Sequence, residues 1–210
     1  MIRRLDRVSL RTLQNCMQTV FENGPKRDRR LWLGDLRLQA LANYETFHNM
    51  KLVKRCLYLF AGQTKDNGQV SACLFTEPKF IVDDTFLLDY SMFFGTALCD
   101  YYEASGDKET LKDLSACAYR QMEIAKEQFD EKIGLFVSGD EKQINYASQV
   151  WMILAEVVSG EEGAEILQNL HMEAALSTAT ATHGAALRLI FSENILTEAS
   201  KSPAGARISA

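Results

Sequence analysis

Apolar positions recur every three to four residues through most of this chain, and that spacing predicts a run of α-helices. Leu5, Val8, Leu10, Leu13, Met17 and Val20 give one stripe over residues 5–20. Leu36, Leu38, Leu41, Ala42 and Phe47 give a second over 35–48. Met50, Leu52, Val53, Cys56, Leu57 and Phe60 give a third over 50–62, with Gly62 as its stop. Residues 84–104 are apolar on most sides, the mark of a deeply buried helix, and Asp83 or Asp84 is placed to cap it. After the turn "SGDKET" follow an amphipathic helix over 108–129, another over 141–158, and a short one that a serine caps in "SGEEGAEILQNL". Glu161 and Glu162 suit the start of that last helix, where the dipole favours acids.

Two stretches interrupt the helices. Residues 63–80, "QTKDNGQVSACLFTEPKF", predict a loop too long for a plain connector, and long ordered loops are often functional. "DEKIGLF" predicts a short turn or hairpin edge. The whole is all-α: about seven or eight helices joined as αα-hairpins. Amphipathic helices alternating with apolar ones suit concentric α/α toroids, whose inner helices are buried. From residue 173 the sequence turns small and rich in Ser, Thr and Ala. Residues 1–172 therefore read as the helical domain and 173–210 as an atypical, weakly structured tail, with one loose helix over 183–199.

Composition narrows the reading. The 210 residues carry a net charge of −5, and 47% are hydrophobic, enough for a real core. Mild acidity argues against nucleic acid, which needs a basic face. No run approaches a membrane span, and "MIRRLDRVSLRTLQN" lacks the apolar stretch of a signal peptide. Five scattered cysteines without a CxxC pair fit a reduced, cytoplasmic protein with cysteines that pack. Trp151, between Val150 and Ile153, is expected in the core. His48, His171 and His183 show no ligand spacing, so neither a metal nor a cofactor is expected.

One stretch does not fit a helical scaffold. Residues 23–35, "NGPKRDRRLWLGD", set Lys26, Arg27, Arg29 and Arg30 around Asp28 and follow them with Trp32, Gly34 and Asp35. One reading is a capping and salt-bridge network before a helix. The other is half of a sugar site: glycoside hydrolysis uses one carboxylic acid to protonate the leaving oxygen, a second carboxylate opposite it, and gains from an aromatic surface under the ring. In that case Arg27 is expected to pair with another carboxylate, Asp35 foremost, and to leave Asp28 facing the pocket.

"GPKRDRRLWLGD", followed by "LRLQALANYETF", resembles the signature of bacterial α-L-rhamnosidases, glycoside hydrolase family 78. There the motif sits in a loop at the mouth of an (α/α)6 barrel. The resemblance fades near residue 170 and covers the first half of the family's catalytic domain. It implies part of an (α/α)6 toroid of the six-hairpin glycosidase type, incomplete, and inverting hydrolysis of terminal α-L-rhamnosides. Asp28 stands at the general acid and Asp35 at the matching acid seven residues on. Arg27 and Trp32 match positions that hold or line the sugar. Asn23 stands where many members carry a sugar-contacting Asp, a departure that weakens binding or alters preference. The family's acid is often Glu, so Asp28 reaches less far, and a misplacement of about 1 Å can cost about a hundredfold in rate. Asp84 lies near a family acid that faces the sugar, against the capping reading given above.

The family's general base lies far downstream, and none of Glu173, Glu193 or Glu198 sits in a matching motif. A second reading is therefore a truncated, catalytically inactive remnant or sugar-binding helical module, with a tail read out of frame after about residue 172. A purely structural scaffold is a third, favoured if Trp32 and Asp35 are buried inside a helix pair with no pocket beside them. An open half-toroid exposes apolar surface and is expected to self-associate. The expected partner is a carbohydrate.

Overall fold

A computed structural model describes residues 2–137, 142–144, 146–154 and 158–176. The chain forms two compact units, Met1–Glu127 and Gln128–Ala210. Among the described residues there are seven helices, as the periodicity predicts, and two small sheets that it does not.

The first unit holds five of the helices: α1 (Ile2–Cys16), α2 (Leu33–Glu45), α3 (Met50–Ala61), α4 (Leu88–Ser105) and α5 (Lys108–Glu127). Helix α4 packs on α2, α3 and α5 and is the centre of the core. It buries Met92, Phe94, Ala97, Leu98 and Tyr101, in line with its apolar sequence. Helix α3 starts where the Asn49 side chain accepts the Leu52 N–H at 3.2 Å, and it buries Leu52, Val53, Cys56, Leu57 and Phe60. Gly62 closes it, as expected. Gly106, in the left-handed region at φ 69°, ends α4. Asp107 then starts α5 by accepting the Thr110 N–H at 3.0 Å. The same carboxylate also takes Lys54 Nζ at 2.9 Å and the hydroxyls of Tyr101 and Thr110.

Three expectations change. Helix α1 stops at Cys16, and Val20 and Phe21 are buried from the turn after it. Leu5 and Val8 lie on the expected stripe but are 60% and 57% exposed, so the N-terminal half of α1 presents its apolar face to solvent. Helix α4 begins at Leu88 rather than 84, with Leu87 at its N-cap and no side-chain cap. Asp83 turns instead to Thr85, whose N–H and hydroxyl it accepts at 3.2 and 3.0 Å.

The segment expected as a plain loop carries β2 (Cys73–Phe75) and β3 (Ile81–Val82). Together with β1 (Leu31–Trp32) they form an antiparallel sheet of order β1-β2-β3, in register Leu31↔Leu74 and Leu74↔Val82. Strands this short show no alternation to read. Gln121 of α5 ties the segment down, accepting the Val70 N–H at 3.0 Å and donating to the Gly68 carbonyl at 2.8 Å.

The second unit opens on the hairpin of β4 (Phe129–Asp130) and β5 (Leu135–Phe136), where a turn or hairpin edge is expected. Helices α6 (Tyr146–Leu154) and α7 (Gly160–Leu176) follow. Gln149 of α6 accepts the Phe136 N–H at 2.9 Å and donates to its carbonyl at 2.6 Å, standing in for a neighbouring strand. Ser159 and Glu162 exchange hydrogen bonds as a capping box at the start of α7. The side chain of Trp151 and residues 177–210, with most of the expected tail, lie outside the described residues. No helix among them is long and apolar enough to cross a membrane.

Burial gives a direct check. Leu57→Ala is expected to cost about 2–5 kcal/mol in urea unfolding, as large core truncations do. Leu5→Ala is expected to stay within about 0.5 kcal/mol, as exposed substitutions do. Asp107 offers another. The Thr110 N–H and the Lys54 ammonium hold its carboxyl well below the usual carboxylate range. A lowered folded pKa adds stability that is complete above about pH 4 and lost as pH falls through the folded value. The melting temperature of Asp107→Asn should therefore lie below that of the parent at pH 7 and converge on it as the pH drops below about 4.

Candidate active site

The backbone first brings residues 22–30 into a closed loop. Asn23 and Arg30 exchange N–H···O bonds of 2.7 and 3.2 Å. Within the loop the Gly24 carbonyl accepts from Arg27 at 2.7 Å and Arg29 at 3.2 Å. Gly24 sits at φ 64°, and a Cβ there would stand 2.6 Å from Asp28 Oδ1, so only glycine lets the carboxylate fold back over the turn. Arg29 also lies in the left-handed region, at φ 52°. Its guanidinium reaches back to Glu22 through two bonds of 3.1 Å.

Asp28 is 30% exposed and lies between two arginines, with Arg27 Nε 3.3 Å from Oδ1 and Arg30 Nε 3.3 Å from Oδ2. The expectation that Arg27 leaves Asp28 for Asp35 is overturned. Arg27 is the sequence neighbour of Asp28, and its side chain is 78% exposed, free to take the nearer carboxylate. Asp35 lies in the first turn of α2, where the helix dipole favours an acid. Its side chain makes no hydrogen bond or ion pair among the described residues.

Arg30 joins the loop to the sheet. Its Nη1 donates to Asp83 Oδ2 at 3.0 Å, and its guanidinium lies 4.4 Å over the Phe75 ring and 5.9 Å from the Trp32 ring. Burial works against the charge on Asp83, but contacts with Asp84 and Thr85 and the Arg30 guanidinium outweigh it and hold the carboxyl below its usual range. Asp84 is exposed and caps nothing.

Trp32 is half-buried at the junction of β1 and α2. Tyr90 of α4 meets it edge to face at 6.1 Å and meets Phe93 at 5.7 Å. Gly34 makes room for that contact, since a Cβ there would lie 3.1 Å from the Tyr90 ring. Burial raises the Tyr90 hydroxyl pKa, and Asp35 and Asp89 add to the rise. The structure thus places Asn23, Arg27, Asp28 and Trp32 on or directly after one loop, with Asp35 on the next turn of chain. Neither Trp32 nor Asp35 is fully buried, against the scaffold reading. A groove of about 820 Å³ beside α1, lined by Arg7, Leu10, Arg11 and Phe47 among others, shares no residue with this site.

Glu22, Arg30, Asp83 and Tyr90 hold the site; the sequence singles out Arg30 as one of the cations around Asp28 and Asp83 as a helix cap, but neither Glu22 nor Tyr90. A clue was present for Glu22: an acid directly after the apolar pair Val20 and Phe21 that leads into the loop.

The profile described as bacterial alpha-L-rhamnosidase 6 hairpin glycosidase domain matches residues 1–152. The chain belongs to this family. A Klebsiella oxytoca rhamnosidase solved with rhamnose bound is 38% identical, with a TM-score of 0.60 over 81% of this chain and 47% of its own. The GH78 rhamnosidase of Bacillus sp. GL1 is 18% identical, with a TM-score of 0.56 over 81% of this chain and 19% of its own, and shows a shared fold. The rhamnosidase-family chain spans about half the length of the Klebsiella enzyme. No curated protein sequence matches it. The resemblance carried by the motif "GPKRDRRLWLGD" and the all-α, six-hairpin reading both stand.

Gly34→Ala tests the aromatic contact in this rhamnosidase-family domain. Crowding Tyr90 is expected to cost about 1–3 kcal/mol, as overpacking does, and to change the near-ultraviolet circular dichroism of Trp32 and Tyr90.

Proposed function

We propose that the chain is a partial α-L-rhamnosidase catalytic domain whose loop 23–35 binds the terminal α-L-rhamnosyl unit of a glycoside. The observation that carries this reading is that Asp28, Trp32 and Asp35 follow one another from a single loop into α2, with Trp32 packed on Tyr90, in a chain 38% identical to a rhamnosidase with rhamnose bound. Asp28 would donate its proton to the glycosidic oxygen as the bond to the sugar breaks. The Arg27 contact yields easily to an entering sugar, since an exposed ion pair is worth about 0–1 kcal/mol, while Arg30, held by Asp83, stays beside the carboxylate. Asp35, unpaired and at a helix start, is suited to accept sugar hydroxyls. Trp32 offers an apolar face, Arg27 a donor and Asn23 a neutral amide. Exposed Asp84 contacts Asp83 and is placed to reach a sugar, while Asp83 is committed to Arg30.

Inverting hydrolysis also needs a base whose carboxyl lies about 6.5–9.5 Å from the acid, leaving room for water. Glu173, Glu193 and Glu198 have no described side chains. A second reading is a sugar-binding module without turnover, in which the loop holds the sugar and no carboxylate supplies the base. Five free cysteines support a reducing, cytoplasmic setting.

The experiment is calorimetric titration with L-rhamnose beside hydrolysis of p-nitrophenyl α-L-rhamnoside, for the chain and for Asp28→Asn. An active chain should lose about 10²–10⁴-fold in kcat in the variant, the usual worth of general acid catalysis. Rhamnose binding without turnover selects the second reading, and no binding at all rejects both.

A further inference from the structure

Glu22 is fully buried, which is unusual for a carboxylate. Its side chain is 1% exposed, and among the described residues its one ion-pair partner is Arg29. The pair is a two-pronged fork: Arg29 Nε donates to Oε2 and Nη2 to Oε1, each at 3.1 Å. A buried charge without such a partner is strongly unfavourable, so Glu22 holds the guanidinium firmly. The Glu22 N–H donates to the Cys16 carbonyl at 2.8 Å, which fixes this end of the fork to the end of α1.

The other end lies in the acid loop. Arg29 stands at φ 52°, where a side chain is strained, and the strain persists only because something holds it there. Asp28 precedes it and Arg30 follows it. The φ of Arg29 therefore sets the direction in which the Asp28 carboxylate leaves the loop relative to Arg30. The fork joins the residues that directly precede the two partners of the Asn23–Arg30 backbone pair, which closes the loop.

We propose that Glu22 is a positioning residue: through its fork to Arg29 it locks the left-handed turn that presents Asp28. Its consequence for sugar binding rests on the function proposed above, while the lock is read from the loop alone. The role belongs to the site rather than to the core, because the fork's far end is a half-exposed arginine outside the hydrophobic cluster.

The test uses the full chain in four forms: parent, Glu22→Gln, Arg29→Gln and the double variant. Hydrogen exchange of the amides of residues 23–30 reports the lock, L-rhamnose titration reports the site, and thermal melting reports the fold. Both single variants should raise loop exchange at least about tenfold while the amides of α3 and α4 stay protected, and they should weaken rhamnose binding by a similar factor. Arg29→Gln strands a buried carboxylate and should melt lower. The double variant should regain that melting temperature without regaining loop protection, which separates positioning from stability. Loop exchange unchanged in Glu22→Gln overturns the proposal, and so does parent-like rhamnose affinity in the double variant. A parent chain that binds no rhamnose removes the functional reading, and the loop exchange then decides the lock by itself.

Discussion

The guanidinium of Arg30 touches Asp83 at 3.0 Å and Asp28 at 3.3 Å and lies over the Phe75 ring. That one side chain joins segments 53 residues apart. Without it, the loop that carries Asp28 would be tied to the body by its two ends and by Arg29. The sheet makes the junction achievable. Pairing Leu31 with Leu74 and Leu74 with Val82 brings the residue before β1 and the residue after β3 to the same small patch. A two-residue strand contributes little stability alone, but here it sets where an arginine and an aspartate meet.

The helices supply the rigidity behind this arrangement. Helix α4 fills the core with Phe94, Leu98 and Tyr101 and sends Tyr90 out to Trp32. Helix α2 starts directly after Trp32, so Asp35 rides on a rigid first turn rather than on a free loop. The family match covers residues 1–152 and so spans this loop, its sheet and the helices behind it.

The helices were legible because periodicity of 3.6 residues accumulates over three or more turns. The small sheet was not, because two or three residues carry no period. Leu5 and Val8 show another limit: a stripe identifies the apolar face of a helix, but nothing in it says what covers that face. In the site, Asp28, Trp32 and Asp35 stood out by their spacing. The partner of Arg27 did not, since a flexible cation beside several carboxylates is assigned by local geometry. Arg30 and Asp83 were beyond reach for the plainest reason: strand pairing brings them together across 53 positions. Glu22 and Arg29 lie only seven apart, yet their contact depends on a left-handed residue that a sequence does not advertise in arginine.

The frame around Asp28 is made of charges at or near the surface: Arg27, Arg30 and Asp83 on one side, Arg29 over its buried anchor on the other. Mobile ions, with a screening length of about 10 Å at 0.1 M salt, weaken the exposed contacts and reach the buried Glu22 end far less. L-Rhamnose is uncharged and has no reason of its own to respond to salt. Ionic strength is therefore a dial connected to the frame and not to the ligand, and any drift of sugar affinity along it reads the stiffness of the loop.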